Sequence, residues 1–547
     1  MKITICQINS KIGDLAYNIA KILRCYEIAK NKGSDLTIFP ELALTGYPLK
    51  DLVNNRSFSQ DVSCFIEKII DYTQKSKCGI LLGSPLYKLN KVFNAALLIQ
   101  EGKLIAEIHK YHLPSYDIFD EKRNFFPGTS TVNVIPYQNE RLGILICEDI
   151  WHEDIIEKYV ENEASLLIAI NASPYDIEKH KLRSNRISNI AKKYKIPMAY
   201  VNIVGAQDEF VFDGGSFIVN SYGQTISEPY YWQECQMHFT VEKNRIHSKE
   251  NQKPDKYTET ENIYQALMLA LKDYMHKNEF QNAVLGLSGG IDSALTATIV
   301  ADAIGAENLR LVMMPSEFSQ EQSLIDAKIL VENIKSKSNI ISITSVYKEF
   351  LQNLESFFSE KPQDVTEENL QVRIRAVILM AISNKFGEIL ITTSNKSESA
   401  VGYTTLYGDM SGGFALIQDV YKTQIYELAH WRNKNIPKGS KFPVVPVIPQ
   451  GIMAKEPSAE LKHGQKDTDL LPPYAVLDKI LYNLIEKKLS KEQIAINLNI
   501  SNQLVQKVNE MLINSEFKRN QAPIGPKISI KSLSTGRRYP ITYRKVF

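Results

Sequence analysis

Ala283-Val284-Leu285-Gly286-Leu287-Ser288-Gly289-Gly290-Ile291-Asp292-Ser293 is an apolar run that breaks into serine and glycine and then continues at helical spacing through Ala294, Leu295, Ala297 and Ile299. A strand that turns through such a loop into a helix makes a cradle for phosphate. Gly289 and Gly290 let backbone N–H groups approach an anion with no Cβ in the way, Ser288 and Ser293 add hydroxyl donors, and the helix turns its positive end to the same point. Gly286, in the apolar run that leads into the loop, belongs to the same expected phosphate site. Asp292 puts a carboxylate into this cradle, which makes chemical sense with a divalent cation between it and the phosphates, so Mg²⁺ is implied. No Lys-Ser or Lys-Thr pair follows the glycines, which separates the loop from the GxxxxGK[ST] type.

The chain around this loop has 547 residues, enough for two or three domains. Hydrophobic residues make up 44% and charged residues 23%, and 64 Lys+Arg face 62 Asp+Glu, so bulk charge gives no reason to expect nucleic acid or an anionic membrane. No apolar stretch is long enough for a membrane span, and Met1–Asp14 lacks the pattern of a signal peptide. Six cysteines without a CxxC pair argue against zinc or a disulfide framework and suit a reducing cytoplasm. Up to residue 245, short β-rich runs alternate with helical stretches, and strands are expected at Ile3 to Ile8, Leu36 to Phe39, Ile80 to Gly83, Ala95 to Ile99, Leu142 to Cys147, Leu166 to Ile170, Met198 to Asn202 and Ser216 to Asn220. Residues 246–260 are polar and read as a linker between a first domain, 1–245, and a second, 261–547. After it, the apolar run Ala283 to Leu287 and strands expected at Leu309 to Met314, Asn339 to Ile343 and Glu388 to Thr393 alternate with helices. That order predicts an α/β domain with a doubly wound, Rossmann-like parallel sheet, followed by a helical C-terminal extension from about Tyr474. The basic tail from Lys518 reads as a solvated face or, alternatively, as a contact for substrate phosphates.

SGGxDS resembles the pyrophosphate loop of the N-type ATP pyrophosphatases, which cleave ATP between its α and β phosphates and activate a substrate oxygen as the adenylate. In the first half, Glu41 in FPEL, Lys110 in HKYHLPSYDIFDE and Cys147 in GILICEDIW each end a strand-like run. Together and in this order they resemble the catalytic set of the nitrilase superfamily, which implies a four-layer αββα sandwich. The residue types suit attack on a carboxamide. A thiol needs a base to take its proton, and Glu41 is the candidate, while the Lys110 ammonium stabilises the developing oxyanion. By the same resemblance Glu121 orients Lys110 or the leaving amine, the alternative being an ordinary loop carboxylate. Tyr116, Ser173 and Arg183 are expected to contact glutamine, Arg183 because its fork can pair both carboxylate oxygens.

An ammonia-releasing amidase joined to an adenylating domain is similar in nearly its whole length to the glutamine-dependent NAD⁺ synthetase family. The resemblance implies that glutamine supplies nitrogen, ATP activates the carboxylate of nicotinic acid adenine dinucleotide, and AMP, pyrophosphate and NAD⁺ leave. Glu368-Asn369-Leu370-Gln371-Val372-Arg373-Ile374-Arg375 resembles a helix near substrate and ATP, and Asn369 and Arg373 are taken as contacts of the dinucleotide. Thr392-Thr393-Ser394-Asn395-Lys396-Ser397-Glu398 implies Thr393 beside ATP and Glu398 as a second magnesium carboxylate. The YGD motif at Tyr407–Asp409 and the DVYKT motif at Asp419–Thr423 assign Asp409 and Lys422 to the dinucleotide. Residues 455–474 match a loop that closes over ATP, with Lys466-Asp467-Thr468-Asp469 departing from the family's adjacent acidic pair. Family members assemble as homo-oligomers. Two alternatives stay open: a glutamine-fed synthetase that aminates a purine or tRNA base, and a non-catalytic first half beside an enzyme fed by free ammonia.

Overall fold

The protein is described by a computed structural model covering residues 1–129, 132–242, 245–248, 256–358 and 361–543. It divides into two compact units, Met1–Lys256 and Tyr257–Phe547. Of the expected linker, residues 249–255 lie outside the described residues.

The first unit is built on β1 (Lys2–Gln7), β2 (Leu36–Ile38), β3 (Gly79–Lys88), β4 (Lys91–Gln100), β5 (Lys103–His109), β6 (Ile135–Tyr137), β7 (Glu140–Ile146), β8 (Leu166–Asn171), β9 (Met198–Asn202), β10 (Val204–Gln207), β11 (Phe210–Val219), β12 (Tyr230–Tyr231), β13 (Cys235–Glu242) and β14 (Arg245–Ser248). Among the described residues they form two sheets, ordered β14-β13-β1-β2-β3-β4-β5 and β10-β11-β9-β8-β7-β6. Side chains alternate along each strand, so each sheet has two apolar faces to cover. Ile3, Ile5, Ile38 and Leu81 of the first sheet share one core with Ile144, Ile146, Ile168 and Ile170 of the second. The outer faces are covered by helices. Helices α1 (Leu15–Asn31) and α2 (Arg56–Tyr72) bring Ile22, Tyr26, Val62 and Ile69 onto Leu82 and Leu97. On the other side α3 (Glu153–Glu161) and α4 (Lys179–Tyr194) bring Ile156, Tyr159, Ile187 and Ile190 onto Leu145 and Leu167. Helix, sheet, sheet, helix is the four-layer sandwich that the residues imply. At roughly 1.5–3 kcal/mol for each large apolar side chain buried, these three cores hold the unit together.

Three differences from the expected elements have simple physical causes. Strands β5, β13 and β14 carry polar or half-exposed residues and so lack a strong apolar signal, yet they pair through backbone hydrogen bonds at or near the sheet edge. Because β14 pairs with β13, residues 246–248 belong to the first unit rather than to a linker. The strand expected to include Cys147 ends at Ile146, where Cys147 steps out with a φ of 47°.

The second unit has one five-stranded sheet among its described residues, β15 (Ala283–Gly286), β16 (Leu309–Met313), β17 (Lys337–Ile340), β18 (Ile389–Thr392) and β19 (Phe414–Ala415). Every pairing is parallel and the order is β17-β16-β15-β18-β19. The chain therefore winds outward from β15 in one direction, then returns to wind outward in the other. That reversal opens a crevice at the carboxyl ends of β15 and β18, the place where doubly wound sheets take ligands. Strand β17 starts two residues earlier than expected, and all four of its residues are exposed, so no buried face marks its register in the sequence.

Helix α5 (Glu259–Lys277) begins on a Thr258 cap reciprocated by Glu261, and it packs with α6 (Ile291–Ile304). Following these come α7 (Glu321–Ile334), α8 (Thr344–Phe358), α9 (Val365–Phe386), α10 (Lys396–Val401), α11 (Lys422–Arg432) and α12 (Gln450–Ala454). The extension consists of α13 (Tyr474–Ile485), α14 (Lys491–Leu498), α15 (Asn502–Asn514) and the short α16 (Glu516–Arg519), packed around Leu477, Leu481, Val505 and Val508. The tail is largely tucked in rather than solvated. Arg537 pairs with buried Glu516, and the Ile528 and Ser529 N–H groups each donate to Asp419 Oδ2 at 2.8 Å. No helix among the described residues is long and apolar enough to cross a membrane.

Candidate active sites

In the first unit, Glu41 lies on the turn after β2, and that turn rests directly on β3. A Cβ on Gly83 would stand 2.2 Å from Pro40 O and 2.7 Å from Glu41 Cα, so only glycine lets the turn approach this closely. Lys110 follows β5 and Glu121 opens a short 3₁₀ turn. All three side chains are buried. Lys110 Nζ donates to Glu41 Oε1 and to Glu121 Oε1, each at 2.8 Å. Glu41 also accepts from Asn94 Nδ2 at 2.7 Å and from the Ala172 N–H at 2.8 Å, while the Tyr47 hydroxyl donates to Glu121 at 3.0 Å. One ammonium between two carboxyl groups thus forms a buried, hydrogen-bonded network. Burial disfavours the Lys110 charge, but Glu121 and Glu41 outweigh it and hold the ammonium well above the usual lysine range. Burial likewise pushes the Glu121 carboxyl up to about 7, Lys110 pulling against it.

Cys147 stands in this field. It follows β7 and opens a 3₁₀ turn, Cys147–Trp151, in the left-handed backbone region that side-chain-bearing residues seldom adopt. Burial, and then the Glu41 charge, push its thiol well above the ordinary cysteine range, with Lys110 opposing and Glu121 adding to the rise. The resting sulfur is therefore a thiol with a carboxylate base in its electrostatic surroundings. Asp149, which the sequence reading did not single out, ties the parts together. Its Oδ1 accepts from the Tyr111 and His112 N–H groups at 3.1 and 2.8 Å, and its Oδ2 accepts from the Ile146 N–H at 3.0 Å. A buried carboxylate thereby pins the lysine loop to the cysteine turn. The signal available in the sequence was CED, an acidic residue two places after the cysteine.

The expected glutamine contacts fall into two groups. Tyr116 is half exposed and donates its hydroxyl to Glu148 at 2.8 Å, next to Cys147 in the chain. Arg183 is buried and its guanidinium is engaged within the protein, by Asp213 and by Ser173 O at 3.1 Å. It holds the Ser173 backbone in place instead of presenting an open fork. Ser173 is fixed from a second side, its N–H donating to Asn202 Oδ1 at 2.9 Å.

In the second unit, the SGGIDS loop leaves β15 at the crevice. Gly289 has a φ of +82°, and a Cβ there would stand 2.3 Å from Ser323 O. Ser288 and Ser293 brace the turn, their hydroxyls 3.1 Å apart, and Ser288 Oγ accepts from the Gly290 N–H at 3.2 Å. The loop borders a cavity of about 710 Å³ lined by Gly286, Ser288, Gly290, Asp292, Ser293, Asn369, Thr393, Glu398, Asp409 and Lys422 among others. Arg373 departs from this set. It is absent from the lining among the described residues, and its Nε donates to Leu406 O at 3.2 Å, whereas Arg375 lines the cavity. On a helix two residues separate by about 200°, so the pair cannot share a face. Desolvation within the cavity wall brings the Arg375 guanidinium down to about 10, with Glu460 opposing, which marks a half-buried cation short of anionic partners.

Lys422, expected among dinucleotide contacts, lies between the two carboxylates assigned to the metal. Its Nζ pairs with Asp292 Oδ2 and donates to Glu398 Oε1 at 3.1 Å. Asn395 donates to Asp292 Oδ1 at 2.9 Å and accepts from the Glu398 N–H at 2.9 Å, fixing both acids in register. Burial pushes the Glu398 carboxyl up to about 8, with Lys422 pulling it down and Asp292 pushing it up. Two converging oxygen donors, one of them resisting ionisation until more positive charge arrives, fit a hard divalent cation such as Mg²⁺. Asp409 opens into the cavity, where depth within the walls pushes its carboxyl up to about 6 against the Thr405 N–H, which donates to it at 2.8 Å. Asn369 accepts from Thr405 Oγ1 at 2.8 Å.

Residues 455–461, Gln465, Asp467 and Leu470 close part of the cavity. Gln465 Nε2 donates to Glu368 at 3.0 Å, and Gln371 Nε2 donates to Leu461 O at 2.9 Å. Asp467 faces inward and accepts from the Tyr474 hydroxyl at 2.8 Å, while Asp469 accepts from the Lys466 N–H at 2.9 Å outside the lining. The acidic spacing around Thr468 therefore sends only one carboxylate into the site.

With both sites described, comparison with known proteins gives a consistent result. The carbon–nitrogen hydrolase family profile matches residues 2–245 and the NAD synthase profile matches residues 263–522. The glutamine-dependent NAD(+) synthetase of Thermotoga maritima is 39% identical, with 100% of this chain and 99% of that protein covered. The chain belongs to the glutamine-dependent NAD⁺ synthetase family. Another family member, from Synechocystis, is 40% identical over 98% of both chains. The structure of the Acinetobacter baumannii glutamine-dependent NAD⁺ synthetase in complex with adenosine diphosphate superposes with a TM-score of 0.78 at 35% identity, covering 99% of this chain and 98% of that one. Membership in the glutamine-dependent NAD⁺ synthetase family accounts for both halves at once, a carbon–nitrogen hydrolase sandwich and a nucleotide-binding parallel sheet in one polypeptide.

Proposed function

We propose that the chain is a glutamine-hydrolysing NAD⁺ synthetase, a ligase that takes nitrogen from glutamine and gives it to nicotinic acid adenine dinucleotide at the expense of ATP. The observation that carries this is the pairing, in one family member, of a buried Glu41–Lys110–Glu121 network beside a cysteine turn with a cavity of about 710 Å³ bordered by the phosphate loop.

In the first half, Glu41 accepts the Cys147 proton as sulfur attacks the glutamine carboxamide. The high thiol pKa makes coupled attack and proton transfer preferable to a standing thiolate. Lys110 has three N–H donors, and the network leaves it able to turn one toward the oxyanion. Glu121 keeps that ammonium in place. The proton held on Glu41 passes to the departing nitrogen, ammonia leaves, and the γ-carbonyl remains on sulfur as a thioester. Water then attacks with Glu41 again as base, giving glutamate and the free thiol. Tyr116, Ser173 and Arg183 border the bound amino acid in this reading, Arg183 acting through Ser173.

In the second half, Ser288, Gly289, Gly290 and Ser293, at the start of α6, hold ATP phosphates by backbone N–H groups and hydroxyls, with Gly286 and Thr393 beside them. Asn369 and Asp409 hold the dinucleotide, and Arg373 is reassigned as a brace for the Leu406 turn. The acceptor carboxylate attacks the α-phosphorus, the bond to the β-phosphate oxygen breaks, and pyrophosphate leaves. Ammonia then adds to the acyl-adenylate carbonyl, loses a proton and expels AMP. Asp292 and Glu398 are the residues that would hold Mg²⁺, which when bound neutralises phosphate charge. Lys422 supplies a fixed cation at the same acids. Closure by residues 455–470 excludes water, which would otherwise hydrolyse the adenylate. Homo-oligomeric assembly and a cytoplasmic setting belong to the same reading and rest on the family resemblance.

A product assay tests the reaction class. Incubated with nicotinic acid adenine dinucleotide, ATP and glutamine, the protein is expected to form AMP, pyrophosphate, glutamate and NAD⁺ in equal amounts. Formation of ADP and phosphate in place of AMP would overturn the adenylation step.

A further inference from the structure

The two segments that carry Lys110 and Cys147 also bring two imidazoles together. His112 lies two residues beyond Lys110, and His152 closes the turn that Cys147 opens. Their rings stack with centroids 3.7 Å apart and planes inclined by only 11°. His112 Nε2 faces Asp154 Oδ1 at 3.3 Å, and His152 Nε2 faces Glu148 Oε1 at 3.4 Å. One ligand atom from each of His112, His152 and Asp154 lies within 4.8 Å of the others. His112 Nε2 is shut off from solvent and has no hydrogen-bond partner among the described residues, Asp154 standing at ion-pair range only. An imidazole nitrogen sealed from solvent and facing a carboxylate, with a second imidazole alongside, is placed to give its electron pair to a cation in its neutral tautomer.

We propose that His112, His152 and Asp154 bind a divalent transition-metal ion of the zinc class. Two bonds of about 2.0–2.1 Å meeting at a tetrahedral angle separate their ligand atoms by about 3.3–3.4 Å, which the His112–Asp154 separation of 3.3 Å already satisfies. Imidazole lone pairs lie in the ring plane, so the stacked rings cannot both ligate one ion as they stand. Binding requires His152, 39% exposed, to swing out of the stack and turn its ring toward the ion, with Asp154, 56% exposed, following. Two imidazoles with one carboxylate select zinc-class ions over Mg²⁺, which takes oxygen ligands, so this site does not compete for the cation assigned to Asp292 and Glu398. Glu148 stands ready as a fourth ligand through Oε1, its Oε2 being held by the Tyr116 hydroxyl. Nothing in the proposal depends on how glutamine is used.

The test is a calorimetric titration of Zn²⁺ into the full chain carrying Cys147→Ala, with Mg²⁺ in excess, so that neither the nearby thiol nor the magnesium acids supply the heat. The same chain with Asp154→Asn or His152→Gln added gives the comparison, and thermal melting shows that these surface substitutions leave it folded. One equivalent of Zn²⁺ is expected in the parent, with affinity lowered at least about tenfold in either variant, since even outer partners of metal ligands are worth that much. Loaded with Co²⁺ instead, the parent is expected to show a visible spectrum without a thiolate charge-transfer band. Absence of one-equivalent binding, equal affinity in parent and variants, or a thiolate band on the bound Co²⁺ would each overturn the site.

Discussion

Glu121 shows how burial sets a charge state that a sequence cannot. In water its carboxyl would titrate in the ordinary glutamate range, but inside the sandwich burial pushes it up to about 7 despite the Lys110 ammonium. The folded chain thus holds this proton over an interval where the unfolded chain has released it. The resulting stability is fully present below the unfolded value of 4.5 and is lost as pH rises through about 7. Urea denaturation across that interval is expected to show stability falling with pH, and Glu121→Gln is expected to flatten the fall. An unchanged slope in the variant would mean that Glu121 ionises normally. At this scale Glu41, Lys110 and Cys147 stood out in the sequence because each follows a strand-like run and the three, in that order, resemble the nitrilase catalytic set. Asp149 and Asn395 were not legible as organisers, since their work is to accept or donate to backbone and side-chain groups far away in the chain. Arg183 and Lys422 were visible as cations, but their pairing with Asp213 and with Asp292 and Glu398 appears only when the chain is folded.

Among the elements, the strand–loop–helix from Ala283 to Ile304 was the most readable, because its glycines are required by local geometry. At Gly289 both the positive φ and the 2.3 Å approach of Ser323 O to a would-be Cβ exclude any side chain. Gly289→Ala is therefore expected to cost the second unit at least about 1–2 kcal/mol from backbone conformation alone. NAD⁺ formation should fall with either glutamine or ammonium as nitrogen source, while glutamine hydrolysis persists. Chemical denaturation and the two assays check this, and full synthetase activity in the variant would contradict the cradle. Edge elements were the least readable. Strands β14 and β17 have little or nothing buried, so the alternation that announces an inner strand is missing and only the backbone ladder defines them. The basic tail misled for a related reason, since Arg537 and Lys527 look solvated in sequence but are buried in the fold, Arg537 against Glu516 of the preceding short helix and Lys527 against Ser529 O of its own segment.

At the level of the whole molecule, one polypeptide carries both a carbon–nitrogen hydrolase sandwich and an NAD synthase parallel sheet. Alternating strands and helices made both α/β classes legible, and the reversal of strand order at β15 explains why the phosphate loop lies where a ligand crevice opens. Purine and tRNA-base amination lose ground to the full-length match with glutamine-dependent NAD⁺ synthetases. The remaining rival, a first half that does no chemistry, makes an opposite prediction for one substitution. NAD⁺ formation by Cys147→Ala should be measured with glutamine and, separately, with ammonium chloride as the nitrogen source. The account predicts that the glutamine-driven rate falls by at least about a thousandfold, as when other enzymes lose their nucleophile, while the ammonium-driven rate stays near that of the unaltered protein. Glutamine-driven synthesis at an undiminished rate in Cys147→Ala would contradict it.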